Sequence, residues 1–352
     1  MDGPNRPMDF AIVARLRGAP PSLDALSKAA LSARRAFPLS GARLVGTRWI
    51  TTPDETATVS EEPVDSLISA RFDPAVGPPV RQTLVGDVLA TRYHHAGCDG
   101  RSAIRWLNHQ LGVVGGIRAP LVQTAPWTPP VLRQHAKPRR KQRHAHAGAS
   151  APLATRGRAH TGLRRWRTWG VPRATTVALG EAALAAAARW NEAHGEDAER
   201  VALWFPMDVR ARRDEGFGNG SSRIRVYRRG PSVSRQVRAA FSDGEWAVQN
   251  ADRLARLPRW LLRLIMRTLS YAPWLDMATL PFTHLDRIDT LDGLGQVESV
   301  EAVGVLDRRH PLGVIASSQG DKTAVTVTWD SGQLSDVDAA DWFGLMHEAL
   351  GS

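Results

Sequence analysis

The stretch Val80-Arg81-Gln82-Thr83-Leu84-Val85-Gly86-Asp87-Val88-Leu89-Ala90-Thr91-Arg92-Tyr93-His94-His95-Ala96-Gly97-Cys98-Asp99-Gly100 decides the fold. Two β-prone runs flank Gly86-Asp87, so 80–93 reads as a hairpin. The second strand runs straight into His94-His95. After Gly100 the apolar spacing becomes helical: Ile104, Leu107 and Leu111 share a face, and Gly112 can end the helix. The segment 94–100 therefore lies on a strand–turn–helix junction.

Such a junction suits proton transfer. A strand end holds its last side chain rigidly, and a tight turn brings His95 and Asp99 close. A neutral imidazole takes the proton from a hydroxyl or amine as it attacks a carbonyl, which is worth about 10²–10⁴-fold in rate. Gly100 lets the backbone approach a substrate or enter the helix without steric conflict. By spacing alone, the same residues also fit two histidines that end a strand and cap a turn.

Working outward, a strand is expected over Phe10–Leu16 and a helix from Ser22 as N-cap through Leu23, Leu26, Ala30 and Leu31 to about Ala36. Strands follow around Ala42–Ile50. Further on come an Ala-rich helix over about Thr176–His194 stopped by Gly195, and a strand at Val201–Pro206. A helix is expected around Leu254–Ser270, then strands at Val297–Leu306, Leu312–Ser318 and Ala324–Trp329. A last helix starts at Ser335, with Asp338 completing a capping box. Strands and helices mix on both sides of a linker, giving an α/β sandwich in two similar lobes.

The net charge of +11 is localised. Of 46 Lys and Arg, 11 lie between Arg133 and Thr168 without an Asp or Glu, and the 35 others match the 35 acidic residues. This stretch reads as an extended linker. It separates an N-terminal lobe (1–130) from a C-terminal lobe (169–352), the linker itself running over 131–168. It is read as a solvated tether, as a site for an acidic carrier protein or coenzyme A phosphates, or, least favoured, for nucleic acid or anionic membrane. No apolar run approaches the roughly 18 residues of a membrane span, and the N-terminus lacks a signal-peptide pattern. A single cysteine, Cys98, fits a reducing, cytoplasmic setting.

His94-His95-Ala96-Gly97-Cys98-Asp99-Gly100 resembles the HHxxxDG signature of the chloramphenicol acetyltransferase-like superfamily, which includes nonribosomal peptide condensation domains, wax ester synthases and alcohol acetyltransferases. The likeness extends to Phe72-Asp73-Pro74, Pro78–Leu84, Ala36-Phe37-Pro38-Leu39, Phe205-Pro206-Met207-Asp208-Val209-Arg210 with Gly218-Asn219, and, weakly, Thr283–Ile288. The resemblance implies a two-lobed α/β sandwich with mixed sheets and helices and a tunnel between the lobes. It implies an acyltransferase that uses an acyl-coenzyme A or phosphopantetheinyl thioester as co-substrate and needs no other cofactor and no metal. The acceptor is an alcohol or amine, an acyl carrier protein is a candidate partner, nucleic acid is not, and a monomer is expected.

By position, the resemblance implies His95 as general base, supported by His94. Asp99 is structural through an arginine, Arg210 first and Arg287 second. The backbone near Gly100 helps hold the oxyanion, and Asn219 belongs to the "GN" element. Two departures stand out: no DFGWG-like segment is present, and His284 replaces the Asn of an "SN" pair. They keep open a non-catalytic module that recruits a carrier protein through the basic linker. Cys98 reads as buried filler rather than a nucleophile. His135, His144, His146 and His160 are flanked by cations, which disfavours metal. In Pro258–Arg267, the Arg259, Arg263 and Arg267 stripe fits a surface helix or peripheral contact with lipid.

Overall fold

The first strand, β1 (Asp9–Leu16), is apolar on both faces and buried except at Arg15, the pattern of a strand covered on two sides. The computed structural model describes residues 9–45, 48–51, 59–70, 72–73, 75–95, 97–117, 150–155, 159–208, 221–242, 261, 278–288, 292–306 and 309–351. Helix α1 (Leu23–Ala36) starts where expected: the Ser22 hydroxyl accepts the Ala25 N–H, and Leu26, Ala29, Ala30 and Ala33 face the core. The 42–50 run is a small hairpin of β2 (Ala42–Val45) and β3 (Arg48–Thr51). After β4 (Val59–Ser60) and α2 (Val64–Ser69) come β5 (Val80–Val85) and β6 (Val88–His94), joined at Gly86 with φ +59°.

Helix α3 (Gly100–Val114) does not end at Gly112. The facing Gly293 passes close to it: a Cβ on Gly293 would lie 2.0 Å from the Asn108 carbonyl oxygen and 2.8 Å from the Gly112 nitrogen. The helix stops one turn later, at Gly115 and at Gly116 with φ +71°.

The linker reading is corrected over its second half. Residues 118–149 lie outside the described residues, and so do His135, His144 and His146. The following segment is folded. Ala151, Leu153 and Ala154 are buried, and the Asn191 side chain bonds the backbone of Pro152 and Ala154. The fully buried Asp330 accepts N–H bonds from Thr161 and Gly162 and pairs with His160. Strand β7 (Arg164–Pro172) then begins inside the supposed tether. Arg165 and Arg167 are exposed, whereas Arg164, Trp166 and Thr168 face inward. A strand period of two was hidden in the charge run.

The remaining elements are α4 (Thr176–Ala193), β8 (Ala202–Asp208), β9 (Ser221–Tyr227), α5 (Val233–Ser242), β10 (Leu280–Arg287), β11 (Val297–Val303), β12 (Leu312–Gln319), β13 (Lys322–Asp330) and α6 (Asp336–Gly351). Ser335 and Asp338 form the expected capping box: Ser335 Oγ accepts the Asp338 N–H, and the Asp338 carboxylate accepts the Ser335 N–H. Of the expected 254–270 helix only Leu261 is described.

Two sheets result. One has the order β11-β1-β6-β5-β4, the other β7-β13-β12-β10-β8-β9. Helices α1 and α3 cover the first, and α4 and α6 the second. Strand β11 leaves the C-terminal half and pairs antiparallel with β1, so the sheets do not divide where the sequence does. Among the described residues, no helix is long and apolar enough to cross a membrane.

Candidate active site

Strand β6 delivers the motif on a rigid mount. Tyr93 is fully buried, stacks on Phe10 at 5.4 Å between centroids, and donates its hydroxyl to the Ala103 carbonyl. One residue on, the His94 N–H donates to the Pro79 carbonyl at 2.8 Å, and its ring meets Phe72 edge to face. The turn closes with the Gly97 N–H on the His94 carbonyl. A Cβ at Gly97 would press on Pro79 at 3.2 Å, so glycine is suited to this turn.

His95 sits 5.2 Å from the Phe10 ring. Burial pushes its imidazole below the usual histidine value. The Asp99 carboxylate and hydrogen bonds to the backbone carbonyls of His95 and Cys98 pull upward, while the Arg223 charge pushes down. The net effect is a neutral ring at neutral pH, the state a general base requires. Burial also lowers His94, with Asp9 opposing.

Asp99 is buried and acts as the N-cap of α3, its carboxylate accepting the Ser102 N–H at 2.9 Å. A carboxylate there meets the positive end of the helix. Its first expected partner, Arg210, lies outside the described residues, as does Asn219. The second, Arg287, is exposed near the end of β10. Gly100 has a packing reason to be glycine: a Cβ would come 2.8 Å from Leu285 Cδ2, so β10 of one lobe touches the motif of the other. Cys98 is fully buried among N-lobe apolar residues. His284 is held between the hydroxyls of Thr176 (2.6 Å) and Ser318 (3.0 Å). Among the described residues, no group of three or more His, Cys, Asp or Glu could hold a metal ion.

No family model and no curated protein matches the chain. Solved structures do. The first condensation domain of the calcium-dependent antibiotic synthetase, in complex with a substrate analogue, is similar at a TM-score of 0.68 and 14% identity, over 98% of this chain and 91% of that one. The condensation domain from the Monacolin K polyketide synthase MokA gives 0.62 and 13%, over 97% and 91%. The epimerization domain from the third module of tyrocidine synthetase B gives 0.53 and 14%, over 97% and 90%. The chain has the condensation-domain fold.

Within that fold, this chain carries features that sequence reading did not single out. Asp9, Arg92 and Arg164 form a buried trio. Asp9 Oδ2 accepts Arg92 Nε at 2.7 Å and Arg164 Nη2 at 2.6 Å, with all three side chains at most 4% exposed. Arg164 also donates to the Asp9 and Ile68 carbonyls. Because Asp9 lies opposite His94 in the β1–β6 register, the trio ties β7 to the strand that ends in the motif. A second such feature is Arg223 on β9, 3.9 Å over the Trp204 ring, with His310 against the same indole at 4.3 Å. The alternation Arg223-Ile224-Arg225-Val226-Tyr227 was the available signal for a one-face cationic strand.

Proposed function

We propose that this protein transfers an acyl group from a coenzyme A or carrier-protein thioester to a hydroxyl or amine, with His95 as general base. The observation that carries this reading is the His95 ring, held against Phe10 one residue beyond β6 and kept neutral at neutral pH by burial. In the neutral ring one nitrogen bears the lone pair that takes the acceptor's proton. The fold shared with condensation domains supports the reading.

The acceptor oxygen or nitrogen attacks the thioester carbonyl as its proton passes to His95. A C–O or C–N bond forms. Collapse of the tetrahedral adduct breaks the C–S bond, and the imidazolium returns its proton to the departing thiolate. No acyl-enzyme is needed. Asp99 holds the turn and favours the imidazolium as it forms, and the backbone at Gly100 faces the oxyanion. The substrates enter from opposite ends of a tunnel between the lobes. The stretch 133–149, basic and without an acidic residue, attracts an acidic carrier protein.

The test is thiol release from a panel of acyl-coenzyme A donors with alcohols and amines. His95→Ala should lower the rate by about 10²–10⁴-fold while leaving the unfolding transition in place. Wild-type turnover in that variant would refute the mechanism.

A further inference from the structure

Strand β1 opens on Asp9 and Phe10, whose side chains point to opposite faces of the sheet. In the register with β6, Asp9 lies opposite His94 and Phe10 opposite Tyr93. Phe10 faces the side covered by α1 and α3, where its ring stacks on Tyr93 and lies 5.2 Å from the His95 ring. Asp9 faces the side covered by α2, where Arg92 donates to the Leu67 carbonyl and Arg164 to the Ile68 carbonyl. On that side Arg92, bonded to Asp9, lies 5.0 Å over the Phe72 ring, and Phe72 meets His94 edge to face at 5.7 Å. Each histidine of the motif therefore has a contact that leads back to the first two residues of β1.

We infer that Arg164, at the start of β7 in the sheet of the C-terminal lobe, is a positioning residue for His95 and acts through Asp9 and Phe10. This rests on reading His95 as the general base of acyl transfer. The opening residues of a strand fray unless they are tied down. Arg164 ties them twice: Nη2 donates to the Asp9 carboxylate at 2.6 Å, and Nη1 to the Asp9 backbone carbonyl at 2.8 Å. The peptide bond at that carbonyl leads directly into Phe10. The guanidinium is itself fixed by the Ile68 and Gly304 carbonyls. A planar fork reaches a carboxylate and a carbonyl at once, and a lysine ammonium does not reproduce that geometry.

The consequence is geometric. His95 lies one residue beyond the end of β6, where the strand ladder no longer holds it, and Phe10 is one wall of its setting. A general base must stand within hydrogen-bond reach of the proton it removes. Misplacement by about 1 Å can lower the rate by about 10²-fold. Because Arg164 belongs to the other sheet, the packing of the two lobes sets where the base stands.

The test uses the full chain with histidine labelled at the ring Cε1 carbon. The signal lost in His95→Asn identifies His95. Phe10→Leu removes the ring current at His95 and so marks the position of the uncoupled signal. Arg164→Lys should move the His95 signal from its wild-type position toward that of F10L. In thiol release, both variants should lower kcat with KM unchanged, by about 10- to 100-fold in F10L. Met346→Ala, in the C-lobe core far along the chain, is the control for stability alone. It should lower the unfolding midpoint and leave both the His95 signal and kcat in place. A His95 signal in R164K that coincides with the wild type would overturn the inference. So would a kcat that follows only the folded fraction, as a structural role requires. Far-UV circular dichroism confirms folding, and Asp9→Glu, which keeps the charge but shifts the carboxylate, reads the same link should R164K not fold. If the wild type releases no thiol with any acceptor, the acyl-transfer reading falls, and the ring signals alone decide whether Arg164 holds His95.

Discussion

Replacing Asp9 by Asn removes one charge from the centre of the buried trio. In the native protein a single carboxylate oxygen holds two guanidinium groups, at 2.7 and 2.6 Å, where none of the side chains is more than 4% exposed. Burial pulls the Arg164 guanidinium below its usual value, and Asp9 beside it holds it up. Asn keeps the shape but not the charge, so Arg92 and Arg164 face each other without a counter-ion. Breaking a buried pair from one side typically costs about 3–5 kcal/mol, a large share of the roughly 5–15 kcal/mol that holds a domain folded. Urea unfolding followed by tryptophan fluorescence measures it, with 12 Trp in the chain as reporters. Arg164→Lys keeps the charge but not the four-way fit to Asp9, Ile68 and Gly304. It should cost less than Asp9→Asn. A loss below about 1 kcal/mol in D9N, where such a pair predicts several, would refute the trio as a net tie between β1, β6 and β7.

The other expectations are narrower. Because burial holds His95 below the ordinary histidine value of 6.5, thiol release should be full at neutral pH. It should fall on the acid side only below that value, as the base is protonated. The same depressed pKa makes the unfolded chain bind the proton first, so stability falls as pH drops below the unfolded value. Asp99→Asn keeps a good N-cap but loses the charge that favours the imidazolium, so the acid limb should move to lower pH with little change in unfolding. Asp99→Ala should in addition cost about 1 kcal/mol for the lost cap. Gly100→Ala should lower activity through contact with Leu285 Cδ2, and Leu285→Ala in the same chain should restore it. Deleting 133–149 should spare turnover of acyl-coenzyme A but weaken capture of an acidic carrier protein. Extending the deletion to 168 removes the start of β7 and should unfold the C-lobe.

Local signals made much of the fold legible. The 80–94 hairpin, the Ser22 cap, the Ser335–Asp338 box and the Gly195 stop all depend on residues within a turn of one another, and all are present. The expected helix end at Gly112 misled because the helix runs on to Gly115; the glycine that close packing requires there is Gly293, on a facing segment distant in the chain. The basic stretch misled more deeply. Charge is normally a signal of solvent, and nothing near Arg164 in sequence announces that Asp9 will meet it. The His284 ring bridges Thr176 and Ser318 within the C-lobe.

Taken alone, the chain determined that a strand runs into His94-His95, that a tight turn follows, and that a helix begins after it. These follow from hydrophobic period and turn chemistry, which act over a few residues. Only the tertiary structure decided which charges are buried and what they face. It brought Arg164 to Asp9, Leu285 to Gly100 and Arg223 into electrostatic reach of His95, and it moved β11 into the sheet of the other lobe. The free energy of a buried charge depends on the counter-charge and dielectric that distant segments supply, and no local pattern carries that information.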